Sequence, residues 1–371
     1  MRTLKVGWDN WFVAQDQGGS GGYASRLSKR LVDSGDVRLE SLNGFGRNAG
    51  LGTVGRKLHH VSGFYWTHIR LPRILKSQGF DLLHAPAFIA PVSAPCPIVV
   101  TVHDITPILY PSHFATWWGM YFKFLMPWVL RSAGATVCGS EHTKQDIIKT
   151  FAIAPDKVWV TPYGVEHERF HPAATLDPGW AQGIGLRDGY LLHVGALAER
   201  KDVPTLLRAL ARVRSSGALG SRQLLLAGAQ TRGLTGAEEV FQTIRELDLN
   251  ENVILAGHVP NEHLPGLYAG ASILVMPSLY EGFGFPILEA MATGTPVVAS
   301  NTSSIPEVAG EAAVLFPPQD EHALADAIQQ VLRNEALAQQ LRDRGLLQAA
   351  QFTWERTARE TVKVYESVVR H

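Results

Sequence analysis

A chain of 371 residues is long enough for two domains, each with its own hydrophobic core. Its 46% hydrophobic and 18% charged residues exclude a disordered chain, and no apolar run approaches the ~20 residues of a membrane span. The formal net charge of zero excludes a generally basic nucleic-acid binder, and the two cysteines, Cys96 and Cys138, have neither metal nor disulfide spacing and suit a reducing compartment.

In chain order, short apolar runs alternate with helical stretches, the pattern of parallel sheets with helices on both faces. The first run, Leu4–Trp8, follows the N-terminus directly, so no signal peptide and a cytoplasmic location are expected. A glycine cluster, Gly18–Ala24, comes next and precedes a helix expected to start near Tyr23. Gly19-x-Gly21-x-x-Ala24 has the form of a dinucleotide fingerprint, with Glu40 placed like a ribose-binding acid. A fingerprint glycine belongs at the strand tip, however, and here about ten residues intervene. After a strand at Val37–Leu42, the stretch Ser41–Phe80 holds six bases (Arg47, Arg56, Lys57, Arg70, Arg73, Lys76) and no acid. Residues 1–180 carry 18 Lys/Arg against 13 Asp/Glu, and the remainder 16 against 21.

Strands follow at Leu82–His84 and Ile98–His103. The second delivers His103 and Asp104 to a carboxyl end, where open sheets bind ligands, whereas His84 reads equally as structural. Residues Phe114–Leu130 hold Trp117, Trp118, Tyr121, Phe122, Phe124 and Trp128. That composition fits a core helix. Joined to the basic stretch and to Phe64, Tyr65 and Trp66, it also fits a surface for anionic lipid headgroups or a lipid-linked acceptor. A solvated face with some buried aromatics fits equally well. Ala135–Cys138 and Val158–Val160 complete a first set of six strands.

Pro172–Arg187, rich in Pro, Gly and Ala, reads as the domain boundary. Tyr190–Val194 opens a second set, with Arg200 and Lys201 beyond its tip, either a solvated basic pair or two cations for an anion. Gln223–Leu226 and Val253–Ala256 follow, the latter leading into Gly257-His258-Val259. Then Ile273–Met276 precedes Glu281-Gly282-Phe283-Gly284-Phe285 and a helix expected over Ile287–Thr293 that carries Glu289. Strand, glycine turn and helix N-terminus make an anion site, and the carboxylates at 281 and 289 can grip two ends of one ligand. A phosphate flanked by hydroxyls, a nucleotide-sugar, fits that pattern. Taken singly, Glu281 could cap the turn and Glu289 lie on a solvated face. Val297–Ala299, Ala313–Leu315 and a final helix at Trp354–Arg370 close the chain.

The segment from Pro277 to Ala299, with Glu281 and Glu289 inside it, resembles the donor-site signature of glycosyltransferase family 4, retaining enzymes of GT-B fold. Val137–Thr143, Val160–Phe170 and His193–Leu207 resemble further family segments, so the match spans most of the chain. The resemblance implies an α/β, GT-B fold of two Rossmann-like, doubly wound domains facing a central cleft. Residues 1–172 would bind the acceptor and 188–352 the nucleotide-sugar donor, with the helix in 353–371 crossing back to the first domain. It further implies that Glu281 approaches the donor sugar, that Glu289 binds ribose, and that Arg200 and Lys201 clamp the diphosphate. Gly282, Phe283, Gly284 and Phe285 would border the donor, and Gly257 and Val259 would read the base through backbone groups. Gly19 and Gly21 would flank the donor phosphates or the acceptor, and His103 would position substrate. Many members carry an Arg directly after Val-Gly; this chain has Ala196 there, so Arg200 must supply the second cation.

No Asp-x-Asp occurs in the chain, so no metal or other cofactor is expected. The first-half segments look most like bacterial mannosyltransferases using GDP-mannose. The expected activity is retaining hexosyl transfer to a glycan or lipid-linked acceptor, by a cytoplasmic protein with an anionic membrane surface as a candidate peripheral partner and without a nucleic-acid partner. Three alternatives stay open: a GT-B nucleotide-sugar epimerase, a non-catalytic nucleotide-sugar-binding subunit, and an NAD-dependent oxidoreductase.

Overall fold

A computed structural model of the chain describes residues 3–13, 19–43, 62–113, 116–228 and 236–370. Gly18, Arg47, Arg56, Lys57 and Phe114 from the segments above lie outside the described residues. The chain divides into two compact units. The first takes in the chain up to Leu109, Thr116–Gly164 and the last helix from Trp354; the second takes in Val165–Thr353 and a short stretch from Tyr110.

The first unit contains β1 (Leu4–Asp9), α1 (Gly19–Asp33), β2 (Val37–Leu42), α2 (Leu71–Gln78), β3 (Leu82–Ala85), β4 (Ile98–Thr101), α3 (Met126–Ser132), β5 (Ala135–Cys138), α4 (Glu141–Phe151) and β6 (Val158–Val160). The strands are all parallel, in the order β2-β1-β3-β4-β5-β6. Every residue of β3, β4 and β5 is buried, which is why these strands read as continuous apolar runs and not as alternating ones. Helix α1 buries Tyr23, Ala24, Leu27 and Leu31 along one face. It begins at Gly19 and not near Tyr23, so the glycines form its first turn. Strand β4 ends at Thr101, which leaves His103 in the loop beyond it. Ser140 caps α4, its hydroxyl accepting the Thr143 amide at 3.1 Å. Two π-helical turns, Trp66–Arg70 and Tyr121–Leu125, lead into α2 and α3. The aromatic segment is therefore helical with two characters: Phe122, Met126 and Val129 are core, whereas Phe124 and Trp128 are exposed.

The second unit contains β7 (Leu191–Val194), α5 (Val203–Ser215), β8 (Leu224–Ala227), α6 (Ala237–Glu246), β9 (Val253–Gly257), β10 (Ile273–Met276), α7 (Phe285–Ala292), β11 (Val297–Ser300), β12 (Ala313–Phe316), α8 (Glu321–Arg333) and α9 (Glu335–Ala349). Its parallel sheet has the order β12-β11-β10-β7-β8-β9. Leu191, Leu224, Leu226 and Ile273 pack with Leu206 and Leu210 of α5 in one core cluster. Each such fully buried side chain contributes about 1.5–3 kcal/mol. The chain runs outward through β7, β8 and β9, then returns to lay β10 beside β7 and runs the other way. The β7/β10 boundary is thus a topological switch point, and β1/β3 is its counterpart in the first unit.

The last helix, α10 (Trp354–Val369), belongs to the first unit. It packs on α1 and joins it through Arg30–Glu355 at 3.0 Å.

Candidate active site

At the switch point of the second sheet, the loops beyond β7 and β10 carry Arg200, Lys201 and Glu281. The Leu279 amide donates to the Arg200 carbonyl at 2.7 Å and ties the two loops together. Lys201 ends a short 3-10 turn, Glu199–Lys201, and its stem runs over Gly195, where a Cβ would lie 3.1 Å from the lysine Cε. Its Nζ donates to Glu281 Oε1 at 2.5 Å, while Arg200 Nη1 donates to Oε2 at 3.2 Å and to the Tyr280 carbonyl at 3.1 Å. Both oxygens of a nearly buried carboxylate are thus taken up by two cations.

Burial alone would raise the Glu281 pKa, but Lys201 and then Arg200 outweigh it and lower the value to about 2. The carboxylate therefore stays ionised, which suits it to orienting cations and accepting hydroxyl protons and not to acid catalysis. The turn is pinned as well. The Glu281 amide donates to Ser303 Oγ at 2.9 Å, and Ser304 Oγ contacts the carbonyls of Glu281 at 2.9 Å and Phe283 at 2.8 Å.

Gly282, Phe283 and Gly284 lead into α7. Gly284 stands before the first helical residue with φ 114°, a left-handed conformation that favours glycine. Phe285 and Pro286 open the helix, and the Ile287 amide donates to the Gly284 carbonyl at 3.0 Å. About one turn on, Glu289 Oε2 accepts the Tyr268 hydroxyl at 2.8 Å. Burial, and secondly the Glu289 charge, pushes the Tyr268 phenol well above its ordinary range. Gly257 ends β9 with φ 64° and accepts the Gly228 amide at 2.8 Å, and Val259 is buried nearby in sequence; both stand two strands from β7.

In the first unit, His103 Nε2 lies 3.0 Å from the Pro86 carbonyl and Nδ1 2.9 Å from the Tyr163 hydroxyl. A carbonyl only accepts, so the ring carries its proton on Nε2 and accepts from Tyr163 through Nδ1. The Tyr23 ring meets His103 edge-on at 4.9 Å. Behind it, His84 bridges Tyr365 of α10 at 2.5 Å and Thr101 at 2.8 Å, and burial lowers its pKa to about 3. His84 is a core histidine. Gly19 and Gly21 sit in the first turn of α1.

The structure thus joins Arg200, Lys201 and Glu281 directly and links them through one glycine turn to the helix that carries Glu289. His103, Gly19 and Gly21 belong to the other unit.

Residues 17–169 match the model described as Glycosyltransferase Family 4, and residues 180–347 match that of Glycosyl transferases group 1. O-antigen chain mannosyltransferase B of Escherichia coli is 33% identical over 271 residues, covering 72% of this chain and 70% of that protein. The chain belongs to glycosyltransferase family 4. An MMP alpha-(1->4)-mannosyltransferase of Mycolicibacterium hassiacum is 31% identical, over 74% of this chain and 66% of its own length. Among solved structures, sucrose-phosphate synthase from Thermosynechococcus elongatus superposes with a TM-score of 0.76 over 98% of both chains at 22% identity. HepE of Anabaena, in complex with UDP and glucose, gives 0.72 at 18% identity over 98% of this chain and 100% of its own. This glycosyltransferase has the GT-B fold.

Several residues that hold its site together escape sequence reasoning. Tyr268 sits 21 positions before the Glu289 it holds, on a short helix with no motif of its own. Tyr163 stands in a Thr-Pro-Tyr-Gly segment and carries no motif of its own. Ser303 and Ser304 follow a strand as ordinary loop serines.

Proposed function

We propose that this glycosyltransferase transfers mannose from GDP-mannose, with retention at the anomeric carbon and without a metal, to a glycan or lipid-linked acceptor. Synthesis of a cell-surface polysaccharide or glycolipid is the setting. The observation that carries the reading is the convergence of Arg200 and Lys201 on one buried carboxylate, beside the N-terminus of α7. A nucleoside diphosphate leaves as an anion, and preorganised cations and amides lower that barrier without reorganising. Glu281 holds both cations and keeps lone pairs for sugar hydroxyls; Glu289, steadied by Tyr268, takes the ribose hydroxyls. Gly257 and Val259 offer backbone groups to the base, and His103 positions substrate. Retention is assigned to front-face attack, the acceptor hydroxyl entering on the side the diphosphate leaves. Mannose is favoured because two of the relatives bear mannosyltransferase names.

Incubating the purified chain with GDP-, UDP- and ADP-sugars, with and without lipid-linked acceptors, tests the reading. Acceptor-dependent release of GDP from GDP-mannose is expected. Acceptor-independent change of the sugar would point to an epimerase, and binding without release to a non-catalytic subunit.

A further inference from the structure

Val165–Phe170, the segment with which the chain enters the second unit, carries none of the donor-site residues, yet two of its side chains reach the elements of the nucleoside half. The Arg169 and Phe170 amides donate back to the Glu166 carbonyl, both at 2.9 Å, which closes one helical turn and sets Glu166 and Arg169 side by side. Arg169 Nη1 donates to Glu166 Oε2 at 2.8 Å, and the guanidinium carbon lies 5.1 Å from the centre of the Phe170 ring. With a carboxylate on one nitrogen and an aromatic ring against the guanidinium, the planar fork has a fixed direction. Its other nitrogen, Nη2, donates to the Asn261 carbonyl at 2.8 Å.

Asn261 lies two residues beyond Val259, in the loop where Gly257 and Val259 offer backbone groups to the base. The same loop is braced at its far end. The His263 amide donates to the Pro260 carbonyl at 3.0 Å, and the Trp180 ring stacks on the His263 ring with centroids 4.9 Å apart. A loop that reads a base through amides and carbonyls takes its selectivity from where the backbone is held, because its own side chains make no contact that could compensate for a shift.

Phe170 serves the ribose end. It is buried, and its ring meets Tyr268 edge-on at 5.9 Å, while the Tyr268 hydroxyl holds Glu289. Tyr268 stands on the short helix Leu264–Ala269, which lies so close to the linker that a Cβ at Gly266 would come within 2.2 Å of the Thr175 carbonyl oxygen. One pair of neighbouring residues therefore touches both the base loop and the side chain that orients the ribose carboxylate.

We propose that Arg169 and Phe170 are positioning residues for the nucleoside of the donor. Arg169 fixes the base loop through the Asn261 carbonyl and so sets the discrimination between bases; Phe170 backs Tyr268 and so fixes Glu289 against the ribose. The inference rests on the reading of Gly257, Val259 and Glu289 as nucleoside contacts, and one of its readouts needs no ligand.

The test is calorimetric titration of the full chain with GDP, UDP and inorganic pyrophosphate, together with hydrogen exchange of residues 257–263 in the unliganded chain. Arg169→Met keeps the stem and removes the fork. It should move the ratio of GDP to UDP affinity toward one by about fivefold, the change that ~1 kcal/mol of hydrogen bonding produces. It should also speed exchange at the His258 and Val259 amides and leave pyrophosphate affinity unchanged. Arg169→Lys, which replaces the fork by a point charge, should show the same loss in smaller measure and covers the case in which Arg169→Met does not fold. Phe170→Leu should weaken GDP and UDP by the same several-fold factor, with their ratio and pyrophosphate affinity unchanged. A parental GDP-to-UDP ratio in both Arg169 variants, parental exchange of the loop in both, or a matching loss for pyrophosphate would overturn the proposal and leave the donor reading standing. A parent chain that binds neither nucleotide, or that does not distinguish the two bases, would overturn the nucleoside reading and the proposal with it.

Discussion

Replacing Lys201 by Met separates what the Lys201–Glu281 pair does for stability from what it does for catalysis. The two side chains are 7% and 10% exposed and their charged atoms 2.5 Å apart. The Glu281 pKa falls from 4.5 to about 2, equivalent to about 3 kcal/mol of folding free energy linked to its ionised form. A depressed carboxylate contributes that stability above its unfolded value and loses it as pH falls through about 2. Breaking a buried pair by removing one partner costs about 3–5 kcal/mol, and because Arg200 remains on the second oxygen the lower end is expected here. Lys201→Met should therefore lose about 3 kcal/mol at pH 7. Lys201→Met with Glu281→Gln should recover most of it, since no unpaired charge is left buried. Turnover should not recover, because the cation facing the leaving diphosphate is absent from both proteins, and a loss of about 2–4 kcal/mol in the barrier is expected. The assay is urea unfolding of the transition that nucleoside diphosphate shifts, paired with steady-state kinetics. A single variant as stable as the parent would refute the buried-pair reasoning. A double variant with parental turnover would refute the role in diphosphate departure.

Tyr268→Phe should weaken binding of free nucleoside diphosphate several-fold by releasing Glu289, and Glu289→Gln should do the same, whereas Glu281→Gln should affect the sugar nucleotide more than the free diphosphate; calorimetry with both ligands separates them. His84 makes the first unit acid-sensitive, because burial holds its folded pKa near 3 while the unfolded chain protonates near 6.5. Stability should fall as pH drops across that window, by at most about 5 kcal/mol, and His84→Gln should flatten the slope in acid melts. Asp9 acts in the opposite direction. Burial, partly offset by hydrogen bonds from Trp66 and Trp11, raises its pKa to about 6, so it lowers stability as pH rises from about 4 to 6. Asp9→Asn keeps an acceptor for both donors and should raise the melting temperature at pH 7 but not at pH 4.

The central strands were legible because strands buried on both faces are largely apolar: Ala135–Cys138 and Ile273–Met276 lie where their apolar residues put them. Strand order was not legible, since a run such as Ile273–Met276 carries no mark of the strand it will pair with. For that reason the family resemblance implies separate roles for Glu281 and for Arg200 and Lys201, but not the contact between them across about eighty residues. The start of α1 was misjudged because glycine disfavours helix interiors, yet costs less in a first turn where few helical bonds form. The π turns at Trp66–Arg70 and Tyr121–Leu125 have no local code, and they are what divides the aromatic segment into a buried and an exposed face. The hydroxyls that hold Glu289, His103 and the Glu281 turn come from residues whose role depends on tertiary neighbours alone.

The measurement that bears most directly on the proposed chemistry is the anomeric configuration of the product formed from GDP-mannose in the presence of a chelator. Nuclear magnetic resonance of the new linkage, taken early in the reaction, should show the configuration of the donor, with GDP released in equal amount and no loss of rate on chelation. An inverted linkage, a rate abolished by chelation and restored by a divalent cation, or an absence of transfer from GDP-mannose when another nucleotide-sugar is turned over would contradict the account.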